Sequence, residues 1–195
     1  MELTVASNNR GKIAEYREIL EPIGFSVFSQ SEKGIHFDVE ETGTTFEENA
    51  LLKARAVHQQ TGGWVLSDDS GLQVSALGGA PGIYSARYLG LTTEQERRQA
   101  VLSALRGKND RSARFVCCIC LIGPEGKEHF FTGIWDGTIA MEASGENGFG
   151  YDPIFVSADS GGHTTASLPI SFKETHSHRA MAVSALLAYL KTENS

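Results

Sequence analysis

Along the chain, short apolar runs alternate with longer stretches in which apolar residues recur every three or four positions, and each spacing predicts an element. Leu3 to Ala6 predicts a strand. The polar turn Ser7-Asn8-Asn9 follows, and then Ile13, Tyr16, Ile19 and Leu20 recur with helical spacing. That helix ends near Pro22-Ile23-Gly24, and Phe25 to Phe28 predicts a second strand. Residues 29–43 are polar and irregular. Thr44 and Thr45 each precede a glutamate by three positions, giving two overlapping capping boxes for a helix that runs to about Gln60 and stops at Gly62-Gly63.

In the second part, Trp64 to Leu66 predicts a strand with Asp68-Asp69 at its carboxyl end, and Leu72 to Val74 resumes extended character. Gly78 to Gly82 predicts a loop, and Thr92 or Thr93 caps a helix from Glu94 to about Leu105. Ala113 to Ile122 is apolar on both alternating faces, the mark of a central strand, and Gly123 to Gly126 turns it into a hairpin partner at His129 to Trp135. A glycine-rich stretch from Ser144 to Pro153 precedes a short strand at Ile154 to Val156 and a loop. The last helix runs from about His178 to Lys191, with Val183, Leu186, Leu187 and Leu190 on one stripe. This order predicts an α/β protein around a central mixed twisted sheet with flanking helices, combining parallel crossovers with an antiparallel hairpin.

At 195 residues and 41% hydrophobic content, the chain suits one domain over residues 1–195. Its start lacks a basic segment followed by a long apolar run, and no window is long enough to span a bilayer, so the expected location is cytoplasmic. A net charge of −7 argues against nucleic acid as a partner, since duplex binding needs clustered Lys and Arg. An anionic ligand would have to be held by a few local cations. Cys117, Cys118 and Cys120 crowd one strand, where neighbours face opposite ways, and read as core thiols rather than a metal site.

Four groups of residues could carry chemistry. Ser7-Asn8-Asn9-Arg10-Gly11-Lys12 joins a strand to a helix start, where backbone N–H groups and the helix dipole attract phosphate. Glu40-Glu41 and Asp68-Asp69 are two acidic pairs, and strand alternation implies that only one of the aspartates faces a ligand. Carboxylates near a phosphate loop suggest magnesium, a hard ion that takes one or two protein carboxylates together with phosphate oxygens and water. Asn49 and Lys53 share a helix face at i, i+4. Finally, Gly148-Phe149-Gly150-Tyr151-Asp152-Pro153, with Lys173 and the run Thr175 to Arg179, offers an aromatic to stack on a base. Arginine there would donate to a carbonyl, which favours a 6-oxo purine.

Taken together these pieces resemble the inosine/xanthosine triphosphate pyrophosphatases, the house-cleaning enzymes for non-standard purine triphosphates. The matching runs are Ala6 to Asn9 with Gly11-Lys12, Glu40 to Gly43 with Thr45-Phe46 and Glu48 to Ala50, Lys53-Ala54, Asp68 to Leu72, Gly78 to Tyr88, Gly148 to Pro153, and Ser177-His178-Arg179. They span nearly the whole chain in order. The resemblance implies an elongated two-lobed fold with the nucleotide in a cleft between lobes, a homodimer, magnesium as cofactor, and cleavage of ITP, dITP, XTP and dXTP to monophosphate and pyrophosphate. It implies triphosphate contacts from Ser7, Asn8, Asn9, Arg10, Gly11, Lys12 and Lys53, a further substrate contact from Ser70, metal binding by Glu41 and Asp69, and a catalytic carboxylate at Asp69. It implies base recognition by Phe149, Gly150, Tyr151, Asp152, Lys173, His178 and Arg179, with Phe149 stacking and Arg179 meeting the 6-oxo group. Many members have Thr-Gly-Asn where Ser7-Asn8-Asn9 stands, and Phe172 to Thr175 differs from the usual residues around Lys173. The nearest alternative is an enzyme of similar fold acting on modified pyrimidine triphosphates.

Overall fold

Strand β1 (Glu2–Val5) buries Leu3 and Val5 completely, and it lies between β2 (Ser26–Ser29) and β3 (Trp64–Val74) in the computed structural model, which describes residues 1–193. It pairs in parallel with both neighbours. Each link is therefore a crossover carrying a helix: α1 (Arg10–Leu20) leads to β2, and α2 (Phe46–Thr61) leads from β2 to β3. Right-handed crossovers to opposite sides of β1 put α1 and α2 on opposite faces of the sheet. After α3 (Glu94–Ala104), β4 (Ser112–Ile122) and β5 (Glu128–Ile139) form the expected hairpin, closed by a turn in which Gly126 N–H donates to Gly123 O at 2.9 Å. β6 (Phe155–Ser157) adds antiparallel to β5, and the sheet order is β2-β1-β3-β4-β5-β6. The chain continues through α4 (Ile170–His176) and α5 (His178–Glu193). The sheet is mixed and flanked by helices, as the element order predicts.

The chain divides into two compact units, Met1–Asp69 with Cys118–Phe131, and Ser70–Cys117 with Thr132–Ser195. In the first, Ala50, Ala54 and Val57 of α2 bury against Val65, Cys120 and Ile122. In the second, Leu72, Val101, Leu105, Phe115, Trp135, Ile154 and Phe155 form the core. All three cysteines are buried thiols in β4, as expected of core residues, and burial pushes the Cys120 thiol up to about 12. No helix among the described residues is long and apolar enough to cross a membrane.

Two sequence expectations are corrected. β3 does not end at the aspartates; it runs unbroken through Asp68-Asp69, because each carboxylate finds a cation and the local dislike of acid pairs for a strand is overridden. Both aspartates are buried. The loop expected after β6 contains α4, a seven-residue helix that starts at Ile170, after Pro169, without a side-chain cap and therefore carries no capping signal.

Candidate active site

In the first unit, Ala6 N–H donates to Leu66 O at 2.8 Å, so the loop that leaves β1 emerges beside the stretch of β3 that reaches Asp68 and Asp69. Asn9 caps α1: its Oδ1 accepts from Gly11 N–H at 2.9 Å and Lys12 N–H at 3.3 Å, while Ser7 Oγ accepts from Asn9 N–H at 3.1 Å. The cap thus takes two of the N–H groups that a phosphate oxygen would seek, and any anion here meets Asn9 as its competitor. Asn8, Arg10 and Gly11 are exposed, whereas Lys12 folds inward and its ammonium sits 2.9 Å from Asp68 Oδ2.

The opposite face of β3 carries a second ion pair. Val65, Ser67 and Asp69 alternate onto the α2 side, where Ser67 Oγ donates to Ala50 O. Lys53, one turn below Asn49, places its ammonium 2.7 Å from Glu41 Oε1 and 3.5 Å from Asp69 Oδ1. Asn49 is fully buried and joins the parts: its Nδ2 donates to Asp69 Oδ2 at 3.3 Å, and its Oδ1 accepts from Gly43 N–H at 2.9 Å. Gly43 has to be glycine, since a Cβ there would lie 2.7 Å from both Asn49 Oδ1 and Glu48 Cβ. The approach of its backbone to α2 brings the Glu41 loop to Lys53. Glu40 is exposed.

These contacts set the charge balance. Burial pushes the Asp69 carboxyl above the usual aspartate range, an effect that Lys53 opposes and Glu41 reinforces. Burial would lower the Lys53 ammonium, but Asp69 and Glu41 outweigh it and the pKa is raised. Glu41, Asp68 and Asp69 against Lys12 and Lys53 leave one excess negative charge, before any triphosphate arrives with several more. No group of three or more His, Cys, Asp or Glu that could hold a metal ion occurs among the described residues. The donor set, two carboxylates gathered on one cation, suits magnesium, which completes its shell with substrate oxygens and water, and not a transition metal that wants imidazole or thiolate.

In the second unit, the loop 148–152 is tightly organised. Asp152 is buried and its carboxylate works inward: Oδ2 accepts from Phe149 N–H at 2.9 Å and lies 2.5 Å from Lys173 Nζ, and Oδ1 accepts from Thr165 Oγ1 at 3.2 Å. Tyr151 is also buried; its hydroxyl donates to Ser85 O at 2.9 Å, and burial pushes its pKa up to about 12. Phe149 is left 57% exposed, with the Lys173 ammonium 4.2 Å from its ring centroid. His178 stacks on Phe115 at 4.8 Å between centroids, and His178 and Arg179 open α5 almost buried. Ser70 is half-buried at the point where β3 passes from one unit to the other.

The structure therefore brings Glu41, Lys53 and Asp69 together, sets Lys12 with Asp68, and groups Phe149 with Lys173 and Asp152. Sequence reasoning left Asn49 and Asp68 without roles and gave Thr165 none. The helical spacing of Asn49 to Lys53 was a usable signal for the first, whereas Thr165 carries no local pattern.

The whole chain has relatives among known proteins. A dITP/XTP pyrophosphatase of Exiguobacterium sp. strain AT1b is 46% identical over 189 residues, 96% of each chain, and one of Bacillus subtilis strain 168 is 45% identical over 193 residues, 97% of each. The structure of the Staphylococcus aureus Ham1 protein superposes with a TM-score of 0.93 at 44% identity, covering 99% of this chain and 100% of that one. The sequence model of the Ham1 family matches residues 3–189, and the chain belongs to that family.

Proposed function

We propose that this protein hydrolyses non-standard purine nucleoside triphosphates, ITP, dITP, XTP and dXTP, to the monophosphate and pyrophosphate, and so keeps them from incorporation into DNA and RNA. The observation that carries the reading is the buried Asp69, held with Glu41 by one lysine, in a chain 46% identical to a named dITP/XTP pyrophosphatase over 96% of its length. Ser7 to Lys12 and Lys53 meet the triphosphate, and Ser70 makes a further substrate contact; Lys12 and Lys53 supply the positive charge. Asp69 orients a water and accepts its proton as the water oxygen bonds to phosphorus and the α,β-bridging P–O bond breaks, releasing pyrophosphate. Magnesium, held by Glu41 and Asp69 when bound, offsets phosphate charge and polarises the reacting phosphoryl group.

Phe149 stacks on the base, Lys173, His178 and Arg179 complete its pocket, and Arg179 donates to the 6-oxo group. Gly150, Tyr151 and Asp152 support this set from behind: the last two are buried and spend their polar groups on the protein. The protein acts as a homodimer in the cytoplasm, each chain one pyrophosphatase domain. The test is pyrophosphate release from ITP, XTP, GTP, ATP and a modified pyrimidine triphosphate, with magnesium and with EDTA. Fast, magnesium-dependent release from ITP and XTP is expected; orthophosphate as product, or preference for the pyrimidine, would overturn the assignment.

A further inference from the structure

We infer that Glu94 and Arg98 of α3, which lie outside the family motifs, are positioning residues that lock the base-stacking loop; the inference rests on the proposed role of Phe149 as the purine contact. Gly150 is held at both of its peptide planes. Its N–H donates to Glu94 Oε2 at 2.8 Å, and its C=O accepts from Arg98 Nη1 at 2.7 Å. Glu94 and Arg98 stand one helical turn apart, and the guanidinium also lies 3.5 Å from the carboxylate that receives the N–H.

The geometry has a specific mechanical effect. Fixing the 149–150 peptide plane through its N–H and the 150–151 plane through its C=O fixes φ and ψ of the residue between them. That residue is glycine at φ +60°, the type with the widest backbone freedom and therefore the natural hinge of the loop. On one side of the hinge Tyr151 is anchored through its hydroxyl to Ser85 O; on the other Phe149 presents an exposed ring. With the hinge locked, the ring stays aligned to the core before a base arrives, and the purine does not have to order the loop on binding.

Arg98→Ala and Glu94→Ala remove one clamp each, while Glu94→Gln keeps an acceptor for the Gly150 N–H. The helix keeps its own cap through Thr93 and Glu96. In the intact enzyme, the two alanine variants are expected to raise KM for ITP by about three- to tenfold, the range that ordering exposed side chains on binding implies. Their kcat should stay within about twofold, because the chemistry at Asp69 is untouched, and Glu94→Gln should behave like the unaltered protein. Unchanged KM, or kcat falling at constant KM, would overturn the inference. Exchange of the Gly150 amide is the second readout: faster in Glu94→Ala if the clamp is real, unchanged if it is not. If the unaltered protein releases no pyrophosphate from ITP, the purine reading fails, and amide exchange still decides whether α3 holds the hinge.

Discussion

Asp69 stands where function and stability conflict. Its folded-state pKa is raised, first by burial, so the native fold holds the proton more tightly than the unfolded chain does. Stability is then highest below the unfolded aspartate pKa and falls as pH rises toward the folded value, leaving a fixed penalty at neutral pH. Asp69→Asn should remove that penalty and stabilise the metal-free protein by about 0.5–2 kcal/mol, a usual yield for relieving a strained functional position. The same change should lower kcat by about a hundredfold or more, the contribution expected of a positioned general base. Thermal melting in EDTA beside ITP turnover checks both; a less stable and fully active variant would sink the role. For the base, Arg179→Ala should cost more kcat/KM on ITP than on ATP, which carries a 6-amino group, if its guanidinium donates to the 6-oxo group, and equal losses would remove it from recognition. The family motifs made the identities of these residues readable, since runs such as Asp68 to Leu72 carry their own pattern. Their pairing was not readable: nothing local says that Lys12 takes Asp68 and Lys53 takes Asp69, because that depends on which face of the sheet each helix covers.

Most elements were visible in local signals. The cap at Thr45, whose Oγ accepts from Glu48 N–H at 3.1 Å, and the capping box of Thr93 with Glu96 sit where the sequence places them. The Glu48 carboxylate reaches back mainly to Thr44, accepting from its N–H at 2.6 Å, so the two overlapping boxes merge into one arrangement. What escaped were elements with no periodicity of their own: α4 is too short and uncapped, and the middle of β3 looks like a loop until its lysines are in place. The β2 end of the sheet adds a pH-dependent tie. Arg17 of α1 donates to Glu32 at 2.7 and 2.8 Å and, through Nε, to Val27 O, and Glu32 also accepts from Ser29 N–H. That backbone bond first, and Arg17 next, hold the Glu32 carboxyl down at about 2. A depressed carboxylate contributes stability that is present above its unfolded pKa and lost as pH falls through the folded one. Glu32→Gln should therefore lower the urea midpoint at pH 7 and match the unaltered protein by about pH 2; a constant difference across that range would show that the charge does not matter.

For the whole molecule, composition spoke to partners and the comparisons to kinship, while the site's electrostatics came only from tertiary structure. The excess negative charge around Asp69 predicts that nucleotide and magnesium stabilise the protein together. A ligand at a hundredfold excess over its Kd adds about 2.7 kcal/mol, which a chain of this size reads as a melting shift of roughly 5–10 °C. IMP with pyrophosphate and magnesium should give such a shift and EDTA should abolish it; an equal shift in EDTA would mean that binding needs no metal. The alternation of Val65, Ser67 and Asp69 with Leu66 and Asp68 along β3 carries a rule of parity for any change in its length. One residue inserted or deleted between Trp64 and Asp68 turns the strand over, hands each aspartate to the wrong helix and drives core and polar side chains to exchange sides, whereas two residues keep every side chain on its own face. Odd changes should therefore be absent among working descendants of this sequence, and even ones tolerated wherever the strand's end can absorb the extra 7 Å or so of backbone.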